Sequence, residues 1–235
     1  ELPLYRKNIR LLYNIPEDCF LFCTFNQIYK FSLETLHVMT DILRRVQNAY
    51  YAILKFPAAS QQNIESFFVH NAPDVLPRII FLNVLPISIE HVRRYLAVDV
   101  FVDTAKCNGS TIVLDALWAG VPVVTQAGQY LLTRKTASFL STLGCDDLIC
   151  SSWREVVNVS VRLAQDRAYQ LDVRKRILRN RMALFDLSRW CRELVHSLTL
   201  TYYHWALGKC PVTFSTEKVL AHARAQGCLP VLRSV

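Results

Sequence analysis

The sequence predicts an α/β protein built on a doubly wound parallel sheet. Strand-like and helix-like segments alternate along most of the 235 residues. They repeat in units of about 25 residues, which is the pattern of such sheets. The strand-like segments are near-continuous apolar runs, as expected for strands that helices cover on both faces. The helix-like segments place apolar residues at the spacing of one helix face.

The first half of the chain is predicted to contain three strands and two helices. Ser32 is a favourable N-cap, because its side-chain oxygen can accept a hydrogen bond from the first turn of a helix. Apolar residues follow it at helical spacing, at Leu33, Leu36, Met39, Leu43 and Val46. Pro57 ends the second strand. The predicted strands are residues 20–25, 50–56 and 78–84, and the second helix is residues 60–70.

The second half continues the alternation and ends in helices. Gly120 and Gly144 are each predicted to end a helix. The predicted elements are a helix at 88–96, a strand at 98–103, a helix that opens with Gly109, Ser110 and Thr111, a strand at 121–125, a mostly helical stretch at 126–143 and three helices within 151–207. The last helix, at 187–207, is predicted to pack across the sheet or a neighbouring lobe through Trp190, Leu194, Leu198 and Trp205.

Four loops are predicted to meet at one edge of the sheet. They follow successive strands and comprise residues 26–30, 56–57, 85–91 and 107–111. Ligands of doubly wound sheets bind at the carboxyl ends of the strands. The convergence of these loops therefore predicts a ligand site there.

Composition excludes several classes of protein. Apolar residues make up 52% and charged residues 20% of the chain, which indicates a globular protein. No apolar stretch is long enough for a bilayer span. The net charge of +8 includes basic clusters at 93–94 and 174–181. We interpret the second cluster as a solvated helix face, since no nucleic-acid recognition motif accompanies it. A positive charge also suits a phosphate-bearing ligand.

The cysteines and the start of the chain limit the interpretation further. The eight cysteines are scattered, without a C-x-x-C pair or zinc-finger spacing, so buried free thiols in a reducing compartment are expected and no metal site is predicted. The chain opens without an initiator Met or a signal-peptide pattern. We therefore expect residues 1–11 to be a linker from a missing N-terminal lobe.

The segment at residues 107–118 has the features of an anion site. It places a short loop and the first turn of a helix directly after a strand. The first N–H groups of a helix lack intrahelical partners and the helix dipole favours negative charge, so a diphosphate fits there. Asp115 lies one turn after Thr111 on the same face, where it can accept hydrogen bonds from a ribose. The segment matches neither a P-loop nor G-x-G-x-x-G.

Four motifs in order resemble one family. They are residues 25–30 (FNQIYK), 90–94 (EHVRR), 107–111 (CNGST) and 115–122 (DALWAGVP). Together they resemble the C-terminal catalytic lobe of the nucleocytoplasmic O-GlcNAc transferases, and the resemblance runs over residues 12–207. It implies the Rossmann-like C-terminal lobe of a glycosyltransferase B fold with C-terminal helices. Residues 208–235 are left as a tail.

The resemblance also implies an activity. Members of this family are inverting, metal-independent enzymes that move N-acetylglucosamine from UDP-GlcNAc to Ser or Thr hydroxyls of proteins in the cytoplasm and nucleus. No cofactor, nucleic acid or membrane span is implied. The partner catalytic lobe and the tetratricopeptide repeats of such enzymes are missing here, so we expect this chain to be inactive alone.

The resemblance assigns roles to eight residues. Lys30 is the expected catalytic residue, because its ammonium would stabilise the negative charge on the leaving UDP more in the transition state than in the ground state. Gln27 is expected near the phosphates, and Asp115 at the ribose. The uracil is expected to lie against His91 and Arg94, and the phosphate turn is assigned to Ser110, Thr111 and Ile112.

The sequence departs from the family at three places. Ser110 stands where animal enzymes commonly have His, and Ile112 replaces the second Thr of a pair. The Pro-Lys that often precedes the His-Val-Arg-Arg motif is Pro86-Ile87-Ser88, which removes a cation. If nothing compensates, these losses weaken donor binding by about 1–3 kcal/mol.

Two alternatives stay open. One is a GDP-fucose-dependent protein O-fucosyltransferase, although Gln27 and the Tyr29-Lys30 ending favour UDP-GlcNAc. The other is a degenerate nucleotide-binding scaffold without transfer activity, which the departures at Ile112 and ahead of His91 motivate.

Overall fold

The computed structural model describes residues 2–86, 88–208 and 210, and it confirms the doubly wound α/β fold. Its strands are β1 (Phe20–Thr24), β2 (Ala49–Leu54), β3 (Ile79–Leu82), β4 (Val100–Val102), β5 (Val123–Gln126) and β6 (Ile149–Cys150). They form one sheet in the order β3-β2-β1-β4-β5-β6, with every pair parallel. The chain thus builds outward from β1 in one direction and then, from β4, in the other.

Helices connect the strands and follow the last of them. They are α1 (Leu2–Leu12), α2 (Leu33–Arg45), α3 (Ala58–Asn71), α4 (Ser88–Arg94), α5 (Thr111–Trp118), α6 (Lys135–Thr142), α7 (Trp153–Gln165), α8 (Arg167–Asn180), α9 (Met182–Phe185) and α10 (Leu187–Ala206). Ser32 is the N-cap of α2, as predicted, and forms a capping box with Thr35. The caps of α7 and α8 are Ser152 and Asp166, whose side chains accept from backbone N–H groups of the first turn.

The central strands are buried on both faces, as their apolar sequences predict. β1 lies between β2 and β4, with Phe22 opposite both Tyr51 and Val100. Leu21, Phe22 and Cys23 have no exposed surface. Such strands must be covered by helices on each side, which fixes the strand ends as the only places where loops can form a site.

The structure differs from the predicted elements at four places. Residues 126–130 are not helical, and α6 begins only at Lys135. Strand β6 was missed because only two of its residues pair with β5. Four helices, rather than three, follow residue 151. The predicted linker at residues 1–11 is largely the helix α1.

Helix α1 is held to the sheet by one buried ion pair. The Arg10 side chain is 2% exposed and donates to Asp99 Oδ2 at 2.9 Å and to the carbonyl of Cys19 at 2.7 Å. The same Asp99 oxygen accepts from the backbone N–H of Leu21, and the carboxylate also binds Arg6. One carboxylate therefore joins α1 to the amino ends of β1 and β4.

The chain separates into two units, residues 1–184 and 185–235, and the division falls inside the domain predicted at 12–207. In the second unit, α10 is capped by Asp186, which accepts from the N–H of Arg189. The four apolar side chains predicted to pack, those of Trp190, Leu194, Leu198 and Trp205, are between 40% and 72% exposed. Their packing against a neighbouring lobe stays a prediction.

The remaining sequence predictions concern cysteines, membrane spans and the tail. Seven cysteines lie in the described part of the chain, all as free thiols, and four of them are buried. Cys107 is half-buried, whereas Cys191 and Cys210 are exposed. No described helix has the length and apolar character of a membrane span. Cys228 and most of the predicted tail at 208–235 lie outside the described residues.

The buried ion pair of α1 gives a test of the fold. Replacing Arg10 by Met removes the buried partner of the Asp99 carboxylate and the donors to the carbonyls of Cys19 and Ala97, while Arg6 still pairs with Asp99, so we expect the free energy of unfolding to fall by about 3 kcal/mol. The matched control is Arg44→Met, which removes an exposed pair with Asp74 and should leave the stability nearly unchanged, because water screens that pair. Urea unfolding of both variants measures the difference. Equal losses would show that the buried pair is not special.

Candidate functional site

A cleft of about 630 Å³ opens at the carboxyl edge of the sheet. It lies where the strand order changes direction, between the loops that follow β1 and β4, which is where doubly wound sheets bind ligands. All eight residues that the sequence assigned to a site line this cleft: Gln27, Lys30, His91, Arg94, Ser110, Thr111, Ile112 and Asp115. The loops at residues 26–30, 85–91 and 107–111 therefore converge as predicted.

A buried carboxylate organises the cleft floor. Asp103, directly after β4, is 2% exposed. Its Oδ1 accepts from the backbone N–H groups of Thr104 and Gly109, each at 2.8 Å, and from Asn26 Nδ2 at 3.0 Å. Its Oδ2 accepts from the hydroxyls of Thr125 and Thr136. Burial raises the pKa of Asp103, while these hydrogen bonds act against the shift.

Gly109 is required by the close approach of the turn to this carboxylate. A Cβ atom at this position would lie 2.5 Å from Cγ2 of Val113 and 3.1 Å from Oδ1 of Asn26. The first distance is too short for any Cβ atom, and the second is tight. The glycine therefore lets its backbone N–H reach Asp103, which brings the following residues to the cleft.

The turn after Gly109 presents the start of α5 to the cleft. The helix begins at Thr111, two residues later than predicted, and Ser110 is its N-cap. The carbonyl of Ser110 accepts from the N–H of Leu114, so the N–H groups of residues 111–113 precede the first helical hydrogen bond. The Ser110 hydroxyl does not cap the helix. It accepts a hydrogen bond from Lys135 Nζ at 2.5 Å.

Lys30 reaches the same turn from the loop after β1. It ends a short 3₁₀ turn, Ile28–Lys30, and its Nζ donates to the carbonyl of Asn108 at 3.2 Å. Gln27 precedes that turn, is exposed and makes no capping hydrogen bond. Both side chains are thus available to an anion bound at the start of α5.

His91 and Arg94 contact each other at the opposite end of the cleft. Their three-residue spacing places them on one face of α4, as predicted, and Arg94 Nη2 donates to His91 Nδ1 at 2.6 Å. Arg94 is 1% exposed, donates to the carbonyl of Asn83 and lies 4.6 Å from the centre of the Phe25 ring. Both of its terminal nitrogens therefore donate within the protein, whereas its Nε is buried without a hydrogen-bond partner, and the side chain supports the cleft wall. Arg93 is exposed on the other side of α4.

The hydrogen bond from Arg94 determines the state of the imidazole. A guanidinium can only donate, so Nδ1 accepts and the proton of neutral His91 lies on Nε2. Nε2 is buried without a hydrogen-bond partner, 3.9 Å from Oδ2 of Asp115. Burial, reinforced by the Arg94 charge, lowers the pKa of His91 to about 4. Burial raises the pKa of Asp115. A ligand thus meets an N–H donor beside a carboxylate acceptor.

The sequence reasoning missed three residues of this site. Asp103 and Asn26 follow strands at the edge where the site was predicted, but they contact each other across 77 positions of the sequence. Lys135 follows β5 and begins α6, in a stretch that was predicted to be helical from residue 126. The helix dipole disfavours a lysine in the first turn of a helix, so Lys135 could have been recognised from the sequence as a candidate functional residue. Ile87, within the segment that departs from the family, lies outside the described residues.

The titration of His91 tests this geometry. Its pKa is lower in the folded chain than the usual 6.5, so the unfolded state binds the proton first and stability falls as pH drops from about 6.5 to about 4. We expect the ring resonances of His91, assigned with a His91→Asn variant, to titrate near pH 4 in an NMR experiment. Arg94→Met should raise this pKa but leave it below the usual value, since burial is the larger cause. An unshifted His91 would contradict the buried neutral imidazole.

Comparison with known proteins identifies relatives over most of the chain. Residues 7–194 match the family model Glycosyl transferase family 41. A UDP-N-acetylglucosamine–peptide N-acetylglucosaminyltransferase of Giardia intestinalis is 63% identical over 227 residues, which are 97% of this chain and 15% of that protein. The corresponding transferase of Caenorhabditis elegans is 35% identical over 187 residues, 79% of this chain and 16% of that protein. The chain therefore spans about a sixth of these relatives.

Solved structures of other proteins also resemble this chain. A mutant O-GlcNAc transferase of Thermobaculum terrenum superposes with a TM-score of 0.64 and 25% identity, over 70% of this chain and 32% of that one. The Anabaena protein HepE, solved in complex with UDP-glucose, has a TM-score of 0.64 over 84% of this chain and 53% of that one. At 13% identity, the second likeness shows the fold alone.

Proposed function

The chain belongs to glycosyl transferase family 41, and on that basis we propose that it is the donor-binding lobe of an enzyme that transfers N-acetylglucosamine from UDP-GlcNAc to Ser or Thr hydroxyls of proteins. One observation carries the proposal: all eight site residues implied by the family resemblance line a single cleft at the switch point of the sheet. The chain spans 15% of its Giardia relative, and the acceptor lobe and helical repeats implied by the family resemblance are proposed to lie outside these residues.

The diphosphate is proposed to bind at the start of α5. There, unpaired backbone N–H groups and the positive end of the helix dipole meet the ammonium of Lys30. When the bond between the anomeric carbon and UDP breaks, negative charge builds on the departing phosphate oxygen. A preorganised cation and N–H groups stabilise that charge most in the transition state, without help from a metal ion.

The nucleoside is proposed to bind between α4 and the later part of α5. Asp115 accepts hydrogen bonds from the ribose hydroxyls, as its position one turn beyond Thr111 allows. The uracil lies against His91, whose Nε2–H donor has no partner within the protein. Arg94 supports the imidazole by donating to Nδ1, and its charge lies beside the base. A neutral imidazole suits this role, since an uncharged donor can bind a carbonyl edge in a buried wall.

The proposed reaction is a direct displacement with inversion. The acceptor hydroxyl oxygen attacks the anomeric carbon as the bond to the UDP oxygen breaks, and the hydroxyl proton passes to a base. Within the described residues, this chain supplies groups for the leaving UDP. The base and the acceptor-binding surface are therefore assigned to the other lobe. We propose that the enzyme acts in the cytoplasm, the nucleus or both, as the family resemblance implies.

The two alternatives are less well supported. A GDP-fucose donor conflicts with the name of the Giardia relative and with Gln27 and Tyr29-Lys30 in the loop after β1. A scaffold without activity was motivated by the loss of a hydroxyl at Ile112. However, the backbone N–H of Ile112 remains in the first turn of α5, and Lys30 is in place.

Lys30 provides the test of catalysis. In the full-length protein, we expect Lys30→Met to lower kcat for transfer from UDP-GlcNAc by about 10²-fold or more, because the leaving group loses its cation. Thermal stability should change little, since Lys30 makes only one hydrogen bond, to Asn108. Lys175→Met, an exposed lysine of α8, is the control and should keep its activity. Normal turnover in the Lys30 variant would overturn the assignment.

Nucleotide preference tests the donor separately. Titration calorimetry with the full-length protein should show binding of UDP and much weaker binding of GDP, because the base pocket against His91 is proposed to be filled by a pyrimidine. Tight GDP binding with no UDP binding would support the fucosyltransferase instead. UDP binding without any transfer would support the scaffold.

A further inference from the structure

We propose that Lys135 is a positioning residue for the diphosphate, acting through the Ser110 hydroxyl; the proposal rests on the donor site described above. Lys135 is the first residue of α6, after β5, at the same edge of the sheet as the cleft. Its side chain is half-buried, and its Nζ donates to Ser110 Oγ. Ser110 itself lines the cleft, whereas Lys135 stands behind it.

Two ammonium groups thus hold one turn from opposite sides. In the sheet, β4 lies between β1 and β5. Lys30, in the loop after β1, donates to the carbonyl of Asn108 in the turn that follows β4. Lys135, in the helix after β5, donates to the hydroxyl of Ser110 in the same turn. The two cations therefore flank the residues that lead into α5.

No carboxylate neutralises these cations. Among the described residues, neither lysine takes part in any of the ion pairs of the structure. The nearby Asp103 is buried beneath the turn and already accepts five hydrogen bonds. Lys135 also begins a helix, where the dipole disfavours a positive charge. The two lysine charges and the positive end of α5 together outweigh the single negative charge of Asp103, so the field at the turn is positive and a bound anion would reduce the repulsion there.

Ser110 can transmit this charge to the ligand. Because its oxygen accepts from the ammonium, its own O–H hydrogen is left to donate elsewhere. Its side chain makes no capping hydrogen bond to α5, so the cleft is the place where that hydrogen can be used. A hydroxyl polarised by an ammonium is a stronger donor to a phosphate oxygen than an isolated serine.

The experiment compares UDP with uridine, which has the same nucleoside but no phosphate. In the full-length protein, we expect Lys135→Met to weaken UDP binding by about tenfold, because the Ser110 hydroxyl loses the ammonium that polarises it, and to leave uridine binding unchanged. Lys135→Arg should restore most of the UDP affinity. Lys106→Met is the matched control, because Lys106 is exposed beside the same turn, and its UDP affinity should stay normal.

A double-mutant cycle tests whether Lys135 acts through Ser110. In a Ser110→Ala background, Lys135→Met should lose most of its effect on UDP binding, because the hydroxyl that links it to the phosphate is gone. Additive effects would overturn the relay. Equal weakening of UDP and uridine would show a purely structural tie between α6 and the turn. If the unmodified protein does not bind UDP, the proposed donor site is wrong. If the unmodified protein binds UDP and Lys135→Met binds it with the same affinity, only the role of Lys135 is wrong.

Discussion

The buried carboxylate of Asp103 is the interaction on which the site depends. It joins the loop after β1 through Asn26, the turn after β4 through Gly109, and β5 and α6 through Thr125 and Thr136. A buried charge is tolerated only where hydrogen bonds replace its water, and five donors do so here. Each donor is consequently held in place, and with it the segment that carries it. The turn after β4, Lys30 and Lys135 all belong to segments that donate hydrogen bonds to Asp103.

Charge is distributed unevenly along the cleft. At one end lie two ammonium groups and the positive end of α5, and no described carboxylate is paired with either lysine. At the other end, burial keeps His91 neutral and raises the pKa of Asp115. The first end suits a diphosphate and the second suits a nucleoside. Ser110 is one of the positions at which the sequence departs from the family pattern, and its hydroxyl accepts a hydrogen bond from Lys135.

Much of the fold could be predicted because its signals are local. Apolar runs predicted five of the six strands, and caps such as Ser32 predicted helix starts. The candidate site residues could be proposed because they follow strands and match ordered motifs, and all eight line one cleft in the structure. The missed elements lack such signals. β6 pairs through only two residues, and α1 is held by Arg10, whose partner Asp99 is far away in sequence.

The sequence by itself determined the class of fold, the edge of the sheet that carries the candidate site and the types of residue found there. It could do so because hydrophobic periodicity, helix-capping residues, turn residues and motifs are properties of residues that are close together in the chain. Only the tertiary structure decided how those residues are used. Arg94 donates to His91 in the cleft wall, Asp103 accepts hydrogen bonds from several segments, and Lys135 donates to the Ser110 hydroxyl. These pairings join segments separated by other strands and helices. They exist only after parallel packing has brought the carboxyl ends of β1, β4 and β5 side by side, since that arrangement alone sets the distances between the groups.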